Sequence, residues 1–499
     1  MTEPTQQPTD AATPPRARDR SFALVLAGAF LLHFIVTRAW QSLAWPDEIF
    51  QTLEQAHRLA FGNGITPWEF RDGVRSWVVP GILAGVMRAT AFLGPGSSGY
   101  LIGVHFFLSL CSLSPVATAM AWARRDGLKH AWLAGVACAA WFELVYFSSK
   151  ALTEVFAAYA IAPALYFGTA ARGPEGDGRD HRRDALFSGA FWGLTLGLRF
   201  HLAPAALVAM VWTARRDAKR WLPLLAGGGA VFLAFGLVDW ATWSYPFQSI
   251  IKNFWINVVQ KKASFFGESP WYEYFVSLAL TWSWAAVPLL VLAGWGVARR
   301  HLLWVVGLII LAEHTAIAHK EYRFLVPFLV VVVLAASLGV LEALRRAPRA
   351  GWAAAVALLA ASAYGAWGYD FRTLAPRPQP GWPPSPMWTF RQGAIRGLEL
   401  VSNDAHVCGV GTVSLGWAWS GGYAYLHQDV PFFECLDRWS VQSYQASFNT
   451  MVTFDYGPRY GPFQKRRCWD QWCVYQREGE CAPPPGGYTI NEYLRERSQ

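Results

Sequence analysis

The chain has 499 residues, of which 53% are hydrophobic and 15% charged, with 27 Trp and a formal net charge of +9. Soluble domains carry about 25% charged residues, so this composition, with a mean hydropathy of +0.20, excludes an ordinary soluble enzyme and describes a polytopic α-helical membrane protein. Most Lys and Arg fall in short clusters between apolar runs, which makes the positive charge a record of topology and excludes a nucleic-acid-binding face.

From the N-terminus, Met1 to Asp19 is rich in Pro, Thr and Gln and reads as a disordered tail. It has no obvious signal-peptide cleavage site, so Ser21 to Trp40 is expected to be a retained first span. Apolar runs begin near residues 21, 100, 131, 151, 185, 200, 221, 275, 302, 324 and 351. At about 20 residues per crossing these give about eleven membrane helices. Trp77 to Gly94 is apolar too, but holds Pro80 and Arg88. Counting it as a span places the cluster Arg16/Arg18/Arg20 across the membrane from Arg124/Arg125/Lys129, Arg179/Arg182/Arg183, Arg215/Arg216/Lys219/Arg220, Arg299/Arg300 and Arg345/Arg346/Arg349. The positive-inside bias therefore makes it an interfacial or re-entrant segment and puts all these clusters in the cytoplasm. The expected units are a cytoplasmic tail over 1–20, a transmembrane domain over 21–369 and an extracytoplasmic domain over 370–499.

That last unit is less apolar and opens with the Pro-rich linker Ala375 to Pro384. Val407 to Leu415 and Asp429 to Phe433 read as strands, so a small α/β domain is expected. Five of the seven cysteines lie there: Cys408, Cys435, Cys468, Cys473 and Cys481. In an oxidising compartment they make two disulfides and leave one thiol, with the pairing open. Free thiols are the next alternative and zinc the weakest, because the tail has no C-x-x-C pair.

The charge ledger sends the acidic and aromatic clusters to the extracytoplasmic side. Directly after the first span comes Trp45-Pro46-Asp47-Glu48-Ile49-Phe50-Gln51. A partly desolvated Asp47 suits a general base for a hydroxyl, with Glu48 beside it. The alternative role for Asp47 is the N-cap of the following helix. In Trp68-Glu69-Phe70 an aromatic beside a carboxylate makes a sugar platform, or an interface belt. Arg75 is a lipid-phosphate contact or a snorkelling side chain. Glu143, Lys150, Glu154, Arg199, His201 and Asp239 lie in or at the ends of apolar runs, where such residues line a cavity or pair between helices. The loop holding Asn253, Asn257 and Trp271 combines amides and aromatics suited to carbohydrate, or to the belt. Finally His319-Lys320-Glu321-Tyr322-Arg323-Phe324 packs four ionisable residues between two apolar runs, where cations can hold a phosphate and Glu321 can orient them. Asp47 and Glu48 leave a divalent metal open as a cofactor.

Taken in order, Pro-Asp-Glu after the first span, Trp-Glu-Phe followed by Arg75-Ser76, Asn253-Phe-x-x-Asn257 ahead of Phe266-Gly-x-Ser-Pro-Trp271, and the 319–324 hexapeptide resemble the ALG/PIG mannosyltransferases. Their GPI mannosyltransferase branch resembles it most. The resemblance spans about residues 21 to 345 and implies a GT-C fold and an inverting transfer from dolichyl-phosphate-mannose or another polyprenyl-phosphate sugar. It implies a glycan or glycolipid acceptor on the extracytoplasmic face, and with the charge pattern above no nucleic-acid partner is expected. It further implies Asp47 as base supported by Glu48, with Arg75, His319, Lys320 and Arg323 at the donor phosphate. Trp45 stands where the family usually has His, Pro67 interrupts the usual Thr-Trp-Glu, and Phe200-His201 follow Arg199 where Thr is common. The Ala- and Arg-rich composition points to a bacterial inner membrane. The competing class is a transporter or flippase of a lipid-linked sugar, whose mark would be internal repeats.

Overall fold

The computed structural model describes residues 15–173, 180–374, 384–454, 461–469, 471–485 and 489–496. Every one of the expected runs is helical. Seven helices are long and apolar enough to cross a membrane: Arg20–Ala39, Ser98–Arg125, Thr153–Ala171, Ala218–Thr242, Glu273–Val297, Tyr322–Arg346 and Pro348–Gly368. His181–Leu198 carries charges in its first turn, and Phe200–Ala214 and His301–Ala316 are shorter. The run from 131 divides into Ala131–Ala139 and Phe142–Phe147. At that break Trp141 is extended and the Phe142 amide donates to Ser362 Oγ at 2.8 Å.

Val78–Thr90 is a helix of 13 residues packed on Glu54–Phe61 and Ser98–Cys111. At about 1.5 Å per residue it is too short to cross the hydrocarbon core. The first helix starts at Pro15, ahead of the expected Ser21. The rest of the expected disordered tail, Met1 to Pro14, lies outside the described residues, as does the linker up to residue 383.

At one end of the bundle Arg300 Nε donates to Asp126 Oδ2 at 2.9 Å and Arg345 Nε to Glu342 Oε2 at 3.0 Å. Three of the expected cytoplasmic clusters therefore meet there. The core is built around Val326–Arg346, which is apolar on all faces and almost wholly buried. Its Gly339 meets Gly296 of the neighbouring helix so closely that a Cβ on either would overlap a partner carbonyl.

Beyond the membrane helices, β1 (Val410–Val413), β2 (Phe432–Cys435), β3 (Thr450–Phe454), β4 (Gln464–Trp469) and β5 (Trp472–Gln476) form one sheet of order β2-β1-β3-β5-β4. β1 runs parallel to β2 and β3, and β5 antiparallel to β3 and β4. Helix Gln392–Val401 covers the sheet. Both expected strands are present, and so are two disulfides, Cys408–Cys481 and Cys468–Cys473, with Cys435 free and buried.

The loop after the first helix is clamped between bundle and sheet. Leu43, Ile49, Phe50, Tyr100 and Val104 share one apolar cluster with Leu398, Tyr423 and Phe432. At its centre the Glu54 carboxylate accepts from the amides of Ile65 at 2.7 Å, Tyr423 at 3.1 Å and Ala424 at 2.8 Å. Buried amides stripped of an acceptor are costly. Glu54→Ala is therefore expected to lower stability by roughly 3 kcal/mol, measured as the unfolding midpoint in detergent, with the C-terminal domain becoming the first protease-sensitive region.

Candidate active site

Asp47 sits in the first turn of the helix that Pro46 initiates, and Ile49–Leu53 then winds as a π-turn, a distortion that often marks functional positions. Thr52 Oγ1 ties this turn to the Ala151 carbonyl at 2.7 Å, and so to the start of Thr153–Ala171. The Asp47 side chain is not an N-cap. Its carboxylate instead receives Arg323 and Gln51. Gln51 Nε2 also donates to Glu69 Oε1 at 3.0 Å, which joins the two carboxylates expected from separate motifs.

Arg323 lies in the short Tyr322–Leu325 turn that opens the buried Val326–Arg346 helix. Three carboxylates surround it. Besides Asp47, Glu321 takes Nε at 2.8 Å and Nη2 at 2.9 Å, and Glu154 Oε1 faces Nη1 at 3.2 Å. Glu154 also pairs with Arg199, whose guanidinium lies over Phe324. Burial raises the Asp47 pKa, and Arg323 opposes only part of that rise. Burial works against the Glu321 carboxylate too, but Arg323 and His319 hold its pKa well below the usual range.

The remaining expected residues divide into those brought to this cluster and those turned elsewhere. Glu48 faces away from Asp47, towards Lys150 Nζ at 3.3 Å, and burial pushes its pKa up to about 7. Because the adjacent carboxylates pair with different cations, they do not converge as a metal site. His319 bridges Glu321 at 3.0 Å and the Gly267 carbonyl at 2.9 Å. Burial disfavours its cation, but these two partners more than offset that and raise its pKa. The Lys320 ammonium turns from Arg323 to the carbonyls of Ile317 and Ser269, because the extended Glu321 sends successive side chains to opposite sides. Lys320 thus secures the loop rather than extending the cationic group. Trp68 carries the Lys262 ammonium 3.5 Å over its ring. Asn257 donates to Asn253 at 3.2 Å, and Trp271 is 67% exposed, away from the cluster, against Tyr272 and Phe275.

Beside the cluster opens a small cleft of about 50 Å³. Gln51, Arg75 and Asn253 supply its polar lining, and Val79, Phe200 and Phe235 its apolar wall. Arg75 Nε is buried without a hydrogen-bond partner among the described residues. Trp45 fills an aromatic slot, stacked on Phe147 at 5.5 Å. Glu154 and Arg199 were signalled in the sequence only by their cost in an apolar run.

A sequence model of the Alg9-like mannosyltransferase family matches residues 28–367. GPI mannosyltransferase 3 of Yarrowia lipolytica is 28% identical over 347 residues, 65% of this chain and 62% of that protein. GPI alpha-1,2-mannosyltransferase 3 of Xenopus laevis is 23% identical over 305 residues, 58% of this chain and 54% of its own length. The human protein of the same description is 24% identical over 302 residues, 57% and 51%. The chain thus spans between half and two thirds of the length of these curated relatives. A crystal structure of ArnT from Cupriavidus metallidurans bound to undecaprenyl phosphate shares the fold, with a TM-score of 0.56 at 13% identity over 93% of this chain and 99% of that one.

Removing a buried cation shared by several carboxylates leaves each without compensation. Arg323→Ala is expected to lower stability by about 3–5 kcal/mol, and Arg75→Ala by no more than about 0.5 kcal/mol. Denaturant unfolding of the two variants in detergent checks the contrast.

Proposed function

The chain belongs to the Alg9-like mannosyltransferase family and has the GT-C fold, and on that premise we propose that it transfers mannose from a polyprenyl-phosphate-mannose donor to a hydroxyl of a glycan or glycolipid. The transfer takes place on the extracytoplasmic face, with inversion and with Asp47 as general base. The observation that carries this reading is the cleft beside Asp47, whose apolar wall ends at an arginine with a spare buried donor. An amphipathic cleft of that kind suits a lipid phosphate: the chain lies along Val79, Phe200 and Phe235, and the phosphate meets Arg75. The names of the relatives support mannose and a glycolipid acceptor, and the undecaprenyl phosphate of ArnT supports a polyprenyl carrier.

In the reaction the acceptor hydroxyl gives its proton to Asp47 as its oxygen attacks the anomeric carbon. The bond from that carbon to the phosphate oxygen breaks on the opposite side, and its electron pair leaves with the polyprenyl phosphate. The leaving group already carries charge, so a cation suffices and no general acid is required. Arg75 is the principal phosphate contact, with His319 beside the site as a second positive group. Arg323 anchors the base, Glu48 fixes the turn through Lys150, and Glu69 with Gln51 orients the sugar hydroxyls. In this reading residues 21–369 are the catalytic domain and 370–499 an extracytoplasmic domain seated on its first loop.

A transporter gains no support from these relatives. Nor does the bacterial inner membrane expected from composition, since the relatives matched in sequence that are named above are from a yeast, a frog and human.

Asp47→Asn is expected to lower transfer from synthetic polyprenyl-phosphate-mannose by about 10²–10⁴-fold while donor binding persists. Arg75→Ala is expected to raise the donor KM instead. Because the raised Asp47 pKa leaves the carboxyl protonated in acid, transfer should rise with pH, its acid limb above the ordinary aspartate value of about 3.9. Radiolabel transfer across a pH series measures both, and full activity in Asp47→Asn would sink the assignment.

A further inference from the structure

Glu154 is 2% exposed at the start of Thr153–Ala171 and does not itself line the cleft, which it meets only through Thr153. Its Oε1 is shared by two guanidinium groups, Arg199 and Arg323, while Oε2 accepts from Thr153 Oγ1 at 3.1 Å. Both arginines also lie over the Phe324 ring, at 5.3 and 4.9 Å. Glu154 is therefore the one carboxylate among the described residues that ties Arg199 to the cation holding Asp47.

The charges around Asp47 come from every packed element. Glu48 lies on its own turn, and Glu69 and Arg75 follow in the first loop. Glu154 and Arg199 come from the two membrane helices, and Glu321 and Arg323 from the hexapeptide. Within this set Arg323 has conflicting effects. A carboxylate that monopolises an arginine loses roughly 1–3 pH units of basicity, and a weaker base removes a proton less effectively. An arginine divided among three carboxylates takes less from each.

Resting on the reading of Asp47 as base, we propose that Glu154 is a positioning residue: by drawing off part of the Arg323 charge and fixing its guanidinium, it keeps Asp47 basic enough to accept the acceptor proton. Glu154 touches no substrate. Neutralising it releases Arg323 towards Asp47 and removes a repulsive charge, and both changes lower the basicity of Asp47.

The test compares wild type, Glu154→Gln, Glu154→Asp and Asp47→Asn in the pH dependence of kcat, with synthetic polyprenyl-phosphate-mannose as donor and a lipid extract of the source organism as acceptor. In Glu154→Gln the acid limb should move down by roughly 1 pH unit and the plateau fall by up to about 10-fold, with donor KM unchanged. Glu154→Asp should recover most of the plateau. A lowered plateau with an unmoved limb makes Glu154 purely structural and overturns the proposal. If Glu154→Gln does not fold, the charge-balanced Glu154→Gln/Arg199→Gln variant takes its place under the same criterion, and failure of both to fold also overturns it. Activity in Asp47→Asn would instead refute the underlying assignment of the base, independently of what Glu154 variants do.

Discussion

The arrangement turns on one buried cation, the Arg323 guanidinium, shared by Asp47, Glu154 and Glu321. Each comes from a different part of the chain: the turn after the first span, the head of a membrane helix, and the extended residue beside Arg323 itself. Taking any of these charges out of water is expensive, and only mutual pairing with good geometry recovers the cost. The hub therefore forms only when bundle, first loop and hexapeptide are all in register. Its placement follows from the Val326–Arg346 helix, whose all-apolar surface leaves it no orientation except burial and so fixes Arg323 at its mouth.

That constraint divides labour within the hexapeptide. A flexible cluster of cations would bind phosphate with little selectivity, whereas here each cation has a separate task. Arg323 is satisfied by carboxylates, His319 holds Glu321 to the Gly267 loop, and Lys320 holds the Ile317 and Ser269 carbonyls. An unsatisfied buried donor on Arg75 lies instead at the cleft. Charge needed for preorganisation is thus kept apart from charge left available for a ligand, which is how a site avoids reorganising its own ion pairs during reaction.

Much of this was legible in the sequence because hydropathy and charge are local signals. Apolar length found the helices, seven of which are long and apolar enough to cross a membrane, and short apolar runs found β1 and β2. Five tail cysteines foretold two bridges. What escaped was pairing, since partners such as Glu154 and Arg323 or Cys408 and Cys481 are joined by the folded chain and leave no mark in spacing. Lys320 is the clearest case: composition groups it with Arg323, but backbone direction at Glu321 separates them.

The first loop is also the mechanical link between the two halves of the molecule. The turn carrying Asp47 runs through the π-turn Ile49–Leu53 into Glu54–Phe61, whose Glu54 is held by amides of the C-terminal domain. One end of this short helical stretch therefore answers to Arg323 in the bundle and the other to Tyr423 and Ala424 beside the sheet. Helices transmit displacement along their axis with little compression, and packed interfaces resist gradual deformation. A shift in how the sheet sits on Glu54 must then be absorbed in the π-turn or passed to Asp47. The sheet domain consequently bears on the geometry of Asp47 although none of its described residues lines the cleft.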